Sequence, residues 1–240
     1  MALTRLDRLL SDMGVASRSE LKKIIRDGRV TVDGVPVTSP EKKLEAGACR
    51  VTLDGRELSY SRFRYYMLDK PAGLVTATED KKQPTVLALL TPEMRRMGLF
   101  PVGRLDKDTS GLLLLTNDGD FAHRVISPKA GVEKLYHARV EGAPDQEDVQ
   151  AFAEGLTLGD GTRCLPAGLT LLGGNECLVT VMEGKYHQVK RMLASRGKPV
   201  TALRRLAIGG LRIDETLGAG GFRELDQGDL DSLFSKAIDK

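Results

Sequence analysis

Hydrophobic positions in the first 60 residues change period partway along. Leu6, Leu9, Leu10 and Met13 recur at helical spacing, and Thr4 stands where it could cap that helix. Ser17 and Glu20 have the Ser-x-x-Glu spacing of a capping box. A second helix is predicted after them, with Leu21, Ile24 and Ile25 inward and Lys22, Lys23 and Arg26 outward. Gly28 is its expected C-terminal stop. The period then drops to two. Val30 and Val32 lead into Asp33-Gly34, and Val35 and Val37 lead away, which predicts a β-hairpin. A last strand is expected near residues 49–53, ended by Asp54-Gly55. Residues 59–64 are polar and aperiodic and read as a linker.

Beyond the linker, strand-like runs at 65–68, 112–116, 135–140 and 178–182 alternate with helix-like runs at 145–154 and 186–196. An amphipathic helix over 226–238 is expected to close the chain. The expected fold class is α+β. A small N-terminal α/β unit (1–58) precedes a domain (65–240) on a mixed, mostly antiparallel β-sheet flanked by helices and loops.

Composition narrows the function classes. With 240 residues, 41% of them hydrophobic, the chain can bury a core without disulfide or metal staples. No apolar run approaches the roughly 18–20 residues of a membrane span, and the start is charged, so a cytoplasmic protein without a membrane partner is expected. Cys49, Cys164 and Cys177 form no C-x-x-C and read as buried reduced thiols. His123, His137 and His187 lack ligand spacing, so no metal site is expected.

Net charge is only +3, but it is unevenly spread. Residues 184–212 carry eight Lys or Arg and no acid, whereas 213–240 carry seven acids and three bases. The basic run reads as an anion-binding surface suited to nucleic acid. The first 30 residues carry seven bases against four acids. Two basic helices displaying Arg18, Lys22 and Arg26 would grip RNA phosphates by shape and charge.

One segment concentrates candidate chemistry. Gly103-Arg104-Leu105-Asp106-Lys107-Asp108-Thr109-Ser110-Gly111 is a charged, glycine-bounded loop directly before the apolar run Leu112-Leu113-Leu114-Leu115. It lacks the G-x-x-x-x-G-K-[ST] pattern of a phosphate loop. By spacing alone, its carboxylates could simply cap backbone N–H groups in a tight turn. The Gly218-Ala219-Gly220-Gly221 cluster, with no helix start after it, reads as a surface turn.

The segment G-R-L-D-K-D-T-S-G-L-L-L-L-T-N-D-G resembles the catalytic motif of pseudouridine synthases of the RsuA/RluA group. The resemblance makes Asp106 the essential aspartate and leaves Asp108 to fix the loop. Lys70-Pro71-Ala72-Gly73 is similar to the family's K-P-x-G element. Lys134-Leu135-Tyr136 is similar to its K-x-Y element, which implies that Tyr136 packs on the target base. In Glu183-Gly184-Lys185-Tyr186-His187-Gln188-Val189-Lys190-Arg191-Met192, Lys190 takes the place of the basic residue that pairs with the aspartate. Residues 203–211 resemble the family's R-x-x-I-G strand, with Arg204 assigned to RNA phosphate or to the Asp106 loop. The opening G-V-A-S-R-S-E-L and I-x-x-G-R-V-T-V-D-G resemble the S4 RNA-binding domain.

The resemblance implies an isomerase that needs no cofactor, because breaking the N-glycosidic bond, turning the uracil and rejoining C1′ to C5 conserves every atom. An ionised carboxylate is required whether it attacks C1′, adds to the ring or removes a ribose proton. A nearby cation favours that form, with Lys190 first and Arg104 second. Arg104, Lys70, His187, Gln188, Arg191 and Arg204 are the implied RNA or substrate contacts. Y-H-Q-V-K-R-M is similar to the small-subunit branch, whereas large-subunit relatives carry N-R-Q-V-R-R. The implied partner is ribosomal RNA or a partly assembled small subunit, met by a monomer. A large-subunit rRNA enzyme and a non-catalytic S4-type assembly factor are the alternatives.

Overall fold

The computed structural model describes residues 3–58 and 60–235. The chain forms two compact units, Met1–Arg64 with Leu87–Phe100, and Tyr65–Val86 with Pro101–Lys240. No composition shift announces the inclusion of Leu87–Phe100 in the first.

The first unit contains β1 (Leu3–Arg5), α1 (Leu6–Asp12), α2 (Arg18–Arg26), β2 (Val30–Val32), β3 (Val35–Pro36), β4 (Lys43–Glu45), β5 (Val51–Leu53), β6 (Arg56–Leu58) and α3 (Pro92–Arg96). Strands order as β3-β2-β5-β6, with β1 and β4 paired separately. Its core gathers Leu6, Leu10, Leu21, Ile25 and Val30, all fully buried. The capping box forms: Ser17 Oγ accepts from Glu20 N, and Ser17 N donates to the Glu20 carboxylate at 2.8 Å. Asp33 and Gly34 both take positive φ (52° and 81°), the twist a two-residue hairpin needs.

Two expectations fail locally. Thr4 does not cap α1. It lies in β1, Arg5 holds the cap position without a side-chain bond, and the free N–H groups of Leu6 and Asp7 donate to Lys42 and Pro40 carbonyls instead. Asp54-Gly55 does not end the sheet either. It forms a second hairpin into β6, a strand too short to show in the pattern.

The second unit is built from β7 (Tyr65–Lys70), β8 (Phe100–Val102), β9 (Ser110–Thr116), α4 (Gly119–Ile126), β10 (Lys134–Val140), α5 (Gln146–Glu154), β11 (Gly168–Gly173), β12 (Glu176–Val181), α6 (Gln188–Ser195), β13 (Val200–Ile208), β14 (Leu211–Arg212), β15 (Phe222–Glu224) and α7 (Gln227–Ser232). The main sheet runs β11-β12-β10-β13-β9-β7-β15. Pairing along it is antiparallel except between β13 and β9. Leu112 to Leu115 are covered on both faces, which explains an unbroken apolar run where a half-exposed strand would alternate. A second core joins Val140, Phe152, Val179, Met192 and Leu193 from α5, α6 and the sheet. Cys164 and Cys177 are buried, Cys49 is half-buried, and all are free. The closing helix is short, opened by an Asp226 capping box, and the end of the expected span (236–238) lies outside the described residues. No described helix is long and apolar enough to cross a membrane.

β9 and β13 approach closely at Gly111. Its φ is +101°, and a Cβ there would lie 2.2 Å from the Arg205 carbonyl oxygen. Gly111→Ala is therefore expected to lower stability by about 2–4 kcal/mol through strain and overpacking. Gly119→Ala, in open helical space, should change it by less than about 1 kcal/mol. Urea unfolding of both variants checks the contrast, and equal midpoints would refute it.

Candidate active site

Asp106 sits in the loop between β8 and β9, and that loop is held from beneath. Lys70, the last residue of β7, is fully buried. Its ammonium donates to the carbonyl oxygens of Thr109 (2.8 Å), Pro71 (3.0 Å), Asp106 (3.1 Å) and Lys107 (3.3 Å). Thr76 Oγ1 donates to the Leu105 carbonyl and accepts from Leu105 N, while Gly73 N donates to Lys107 O. The loop backbone is thus satisfied on its inner side. Lys70 was expected to face RNA. Its side chain instead turns inward, and burial pushes its pKa down to about 8.

The outer side of the loop carries the charge. Asp106 Oδ2 lies 3.1 Å from Lys190 Nζ on α6, and Oδ1 lies 3.4 Å from His187 Nε2. Lys190 also pairs with Asp108 at 2.5 Å. Burial opposes the Lys190 charge, but the hydrogen bonds to Asp108 and Asp106 outweigh it and raise its pKa. The same bond from Lys190 holds the Asp108 carboxyl below its usual range. His187 takes a left-handed backbone (φ 49°), and its ring stacks on the exposed Tyr186 with centroids 3.8 Å apart.

A cavity of about 480 Å³ opens beside Asp106, lined among others by Arg104, Lys134, Tyr136, Arg205 and Ile208. That is room for one nucleotide-sized group. Arg104 is exposed at this cavity and is not among the ion-pair partners of Asp106. Tyr136 on β10 faces Arg205 on β13, whose guanidinium carbon stands 5.9 Å from the tyrosine ring centroid.

Several expected RNA contacts have other tasks. Gln188 is buried, donating to Glu183 at 2.8 Å and accepting from Lys185 N at 3.0 Å, so it braces the turn before α6. Arg191 pairs with Asp160 and reaches the Tyr186 carbonyl. The Arg204 guanidinium grips Asp69 through two bonds of 2.9 Å and also meets Glu215, so its bonds go to these acids and not to Asp106. The R-x-x-I-G spacing falls on Arg205, Ile208 and Gly209, and counting it strictly would have picked Arg205. Arg205 is buried, donates to the Leu112 carbonyl (2.7 Å) and the Tyr136 hydroxyl (3.4 Å), and leaves Nη2 unpartnered.

The acid-free run at 184–212 is correspondingly not a bare cationic surface. At least six of its eight bases, Lys185, Lys190, Arg191, Arg196, Lys198 and Arg204, pair with carboxylates from outside the run. In the first unit, Arg18 donates to the buried Asp7 while remaining half-exposed, and Lys22 and Arg26 stay exposed.

A carboxylate beside a cation, an aromatic face and a nucleotide-sized cavity suit chemistry on a single extruded base. The profile of the RNA pseudouridylate synthase family matches residues 64–195, and that of the S4 domain matches residues 4–48.

This chain belongs to the RNA pseudouridylate synthase family.

Relatives extend the likeness over nearly the whole chain. A ribosomal small subunit pseudouridine synthase A of Vibrio parahaemolyticus is 42% identical, covering 96% of this chain and 100% of its own. An uncharacterized RNA pseudouridine synthase of Bacillus subtilis is 41% identical over 95% and 98%, and the Escherichia coli K12 ribosomal small subunit enzyme is 38% identical over 95% and 99%. A crystal structure of a pseudouridylate synthase superposes with a TM-score of 0.68 at 34% identity, over 95% of this chain and 99% of that one.

For this pseudouridine synthase, Lys70→Met should strip the donor from the loop carbonyls. Stability should fall by about 2–4 kcal/mol. Pseudouridine formation should slow on the order of 10²-fold through misplacement of Asp106. Urea unfolding and single-turnover assays check both, and a rate within about threefold of the parent would show that the loop holds itself.

Proposed function

We propose that this pseudouridine synthase isomerises a specific uridine of small-subunit (16S) ribosomal RNA, with Asp106 as its essential carboxylate and no cofactor. The observation that carries the catalytic reading is the Asp106–Lys190 pair at 3.1 Å, set at a cavity that Tyr136 also lines. Lys190 holds the Asp106 carboxylate at the cavity, and Tyr136 stacks on the extruded uracil. His187 adds a second polar contact to the carboxylate. Arg104, exposed at the cavity, holds a phosphate or fills the space the nucleotide vacates. The small-subunit assignment is supported by full-length relatives that carry that name.

Residues 1–58 serve as the RNA-gripping domain, 59–64 as the linker and 65–240 as the catalytic domain, although Leu87–Phe100 falls in the first compact unit. Arg18, Lys22 and Arg26 meet RNA phosphates in this reading. The partner is ribosomal RNA or a partly assembled small subunit, and the protein works as a cytoplasmic monomer.

Chemical mapping of pseudouridine in both ribosomal RNAs, with the gene deleted and then restored, tests the substrate. One 16S uridine should lose and regain its modification, and restoration with Asp106→Asn should leave it unmodified while RNA binding stays within about threefold of the parent. A modified 23S uridine instead would assign the enzyme to the large subunit. Normal modification by Asp106→Asn would sink the catalytic reading.

RNA affinity should also fall steeply with salt. Replacing both Lys22 and Arg26 by Ala should flatten the log–log salt slope by roughly one unit per lost phosphate contact, as titrations at several salt concentrations would record. An unchanged slope would remove these residues from the RNA surface.

A further inference from the structure

Tyr136 shares its face of β10 with Lys134, two residues before it. Across on β13, Lys134 pairs with Ile208 and Tyr136 with Arg205. Residues 205 and 208 would face opposite sides of a regular strand, since their separation is odd. The register shift between Leu135 and Tyr136 leaves Leu206 as the extra residue of a bulge. Both neighbours of the tyrosine are thereby aimed at one cavity. Lys134, Tyr136, Arg205 and Ile208 all line it.

Two of these four are cations without a counter-charge. Lys134 is 8% exposed, and among the described residues its ammonium has no hydrogen-bond or ion-pair partner. Arg205 is 4% exposed, and its Nη2 is buried with no acceptor. The carboxylates at the cavity are already engaged, Asp106 by Lys190 and Glu183 by Lys185 and Gln188. Burying two adjacent cations unpaired is costly, and a site that retains them is built for an anion that arrives from outside.

We infer that Lys134 and Arg205 form a seat for the negative charge of the detached uracil, donating to its carbonyl oxygens while the ring is free of the ribose. The inference rests on the pseudouridine synthase reading of the same cavity. When the C1′–N1 bond breaks, its electron pair leaves with N1, and the charge spreads over N1, O2 and O4. The ring turns, C5 bonds to C1′, C5 loses its proton and N1 gains one, so the product is an isomer. Throughout the turn nothing covalent need hold the base. Preorganised cations in a water-poor cavity hold an anion better than they hold the neutral starting ring, which places their effect on the cleavage step. Burial and the nearby Arg205 bring the Lys134 ammonium down to about 8, so it still carries its proton at pH 7.

The test compares two RNA substrates that differ only in having uridine or 5-fluorouridine at the target. Fluorine withdraws electron density and makes the departing uracil a more stable anion, so it needs the cations less. Single-turnover loss of the N-nucleoside, followed by nuclease digestion and mass spectrometry, reads cleavage for both. Lys134→Met should slow uridine cleavage on the order of 10²–10³-fold and 5-fluorouridine cleavage at least about tenfold less, with RNA affinity unchanged. Lys134→Arg, which keeps the charge, should recover most of the loss. If Lys134→Met fails to fold, Lys134→Gln carries the same comparison. Equal losses on the two substrates, or a loss confined to RNA affinity, would overturn the inference alone. A parent enzyme that converts neither substrate would bring down the underlying reading and the inference with it.

Discussion

The buried ammonium of Lys70 governs where Asp106 stands, because four carbonyl oxygens of the K-P turn and the Asp106 loop converge on it. Loop backbone carries its own carbonyls and amides, and these must be satisfied once they leave water. A lysine suits the task because its compact charge carries rotatable donors, which let it serve acceptors that arrive from several directions. The anchor lies at the end of β7, a strand inside the main sheet, so the loop inherits the rigidity of the sheet. Asp106 is then free to spend its carboxylate outward, on Lys190 and His187.

Charge in this molecule is largely settled by tertiary pairing. Asp148 is buried between Arg196 and Lys198, Asp160 takes Arg191, and Asp69 takes Arg204. These partners lie tens of residues away in the chain, so a local count of signs misreads the surface. Exposed cations nevertheless remain, among them Arg104 at the cavity and Lys22, Lys23 and Arg26 on α2. In the proposed function, exposed charges such as these attract the RNA, and the buried cations of the cavity serve the base itself.

The bulge between β10 and β13 has a similar standing. One extra residue decides which arginine of the pair Arg204 and Arg205 reaches the cavity. Arg204, on the other side, closes an ion pair with Asp69 of β7 that helps hold the sheet together. A lysine and an arginine thus flank Tyr136 and Ile208 on a single face, although simple alternation would separate them.

Periodicity and turn chemistry determined the local elements: the α2 capping box, the Asp33-Gly34 hairpin, the doubly buried Leu112 to Leu115 strand and the α6 segment all depend on interactions within a few residues. The motif around Asp106 and the Lys190 segment were legible for a different reason, since residue identity and order survive in any resemblance. Tertiary structure alone decided the rest. Whether Lys70 faced RNA or carbonyls, whether Gln188 and Arg204 were contacts or braces, and whether the basic run was bare or paired all turn on partners distant in the chain. A strand position chooses its face by register, and a charge chooses its role by the company that folding brings. Asp106 could be named from the sequence; the loop anchor beneath it and the cations beside its cavity could only be seen once β7, β10 and β13 had been brought together.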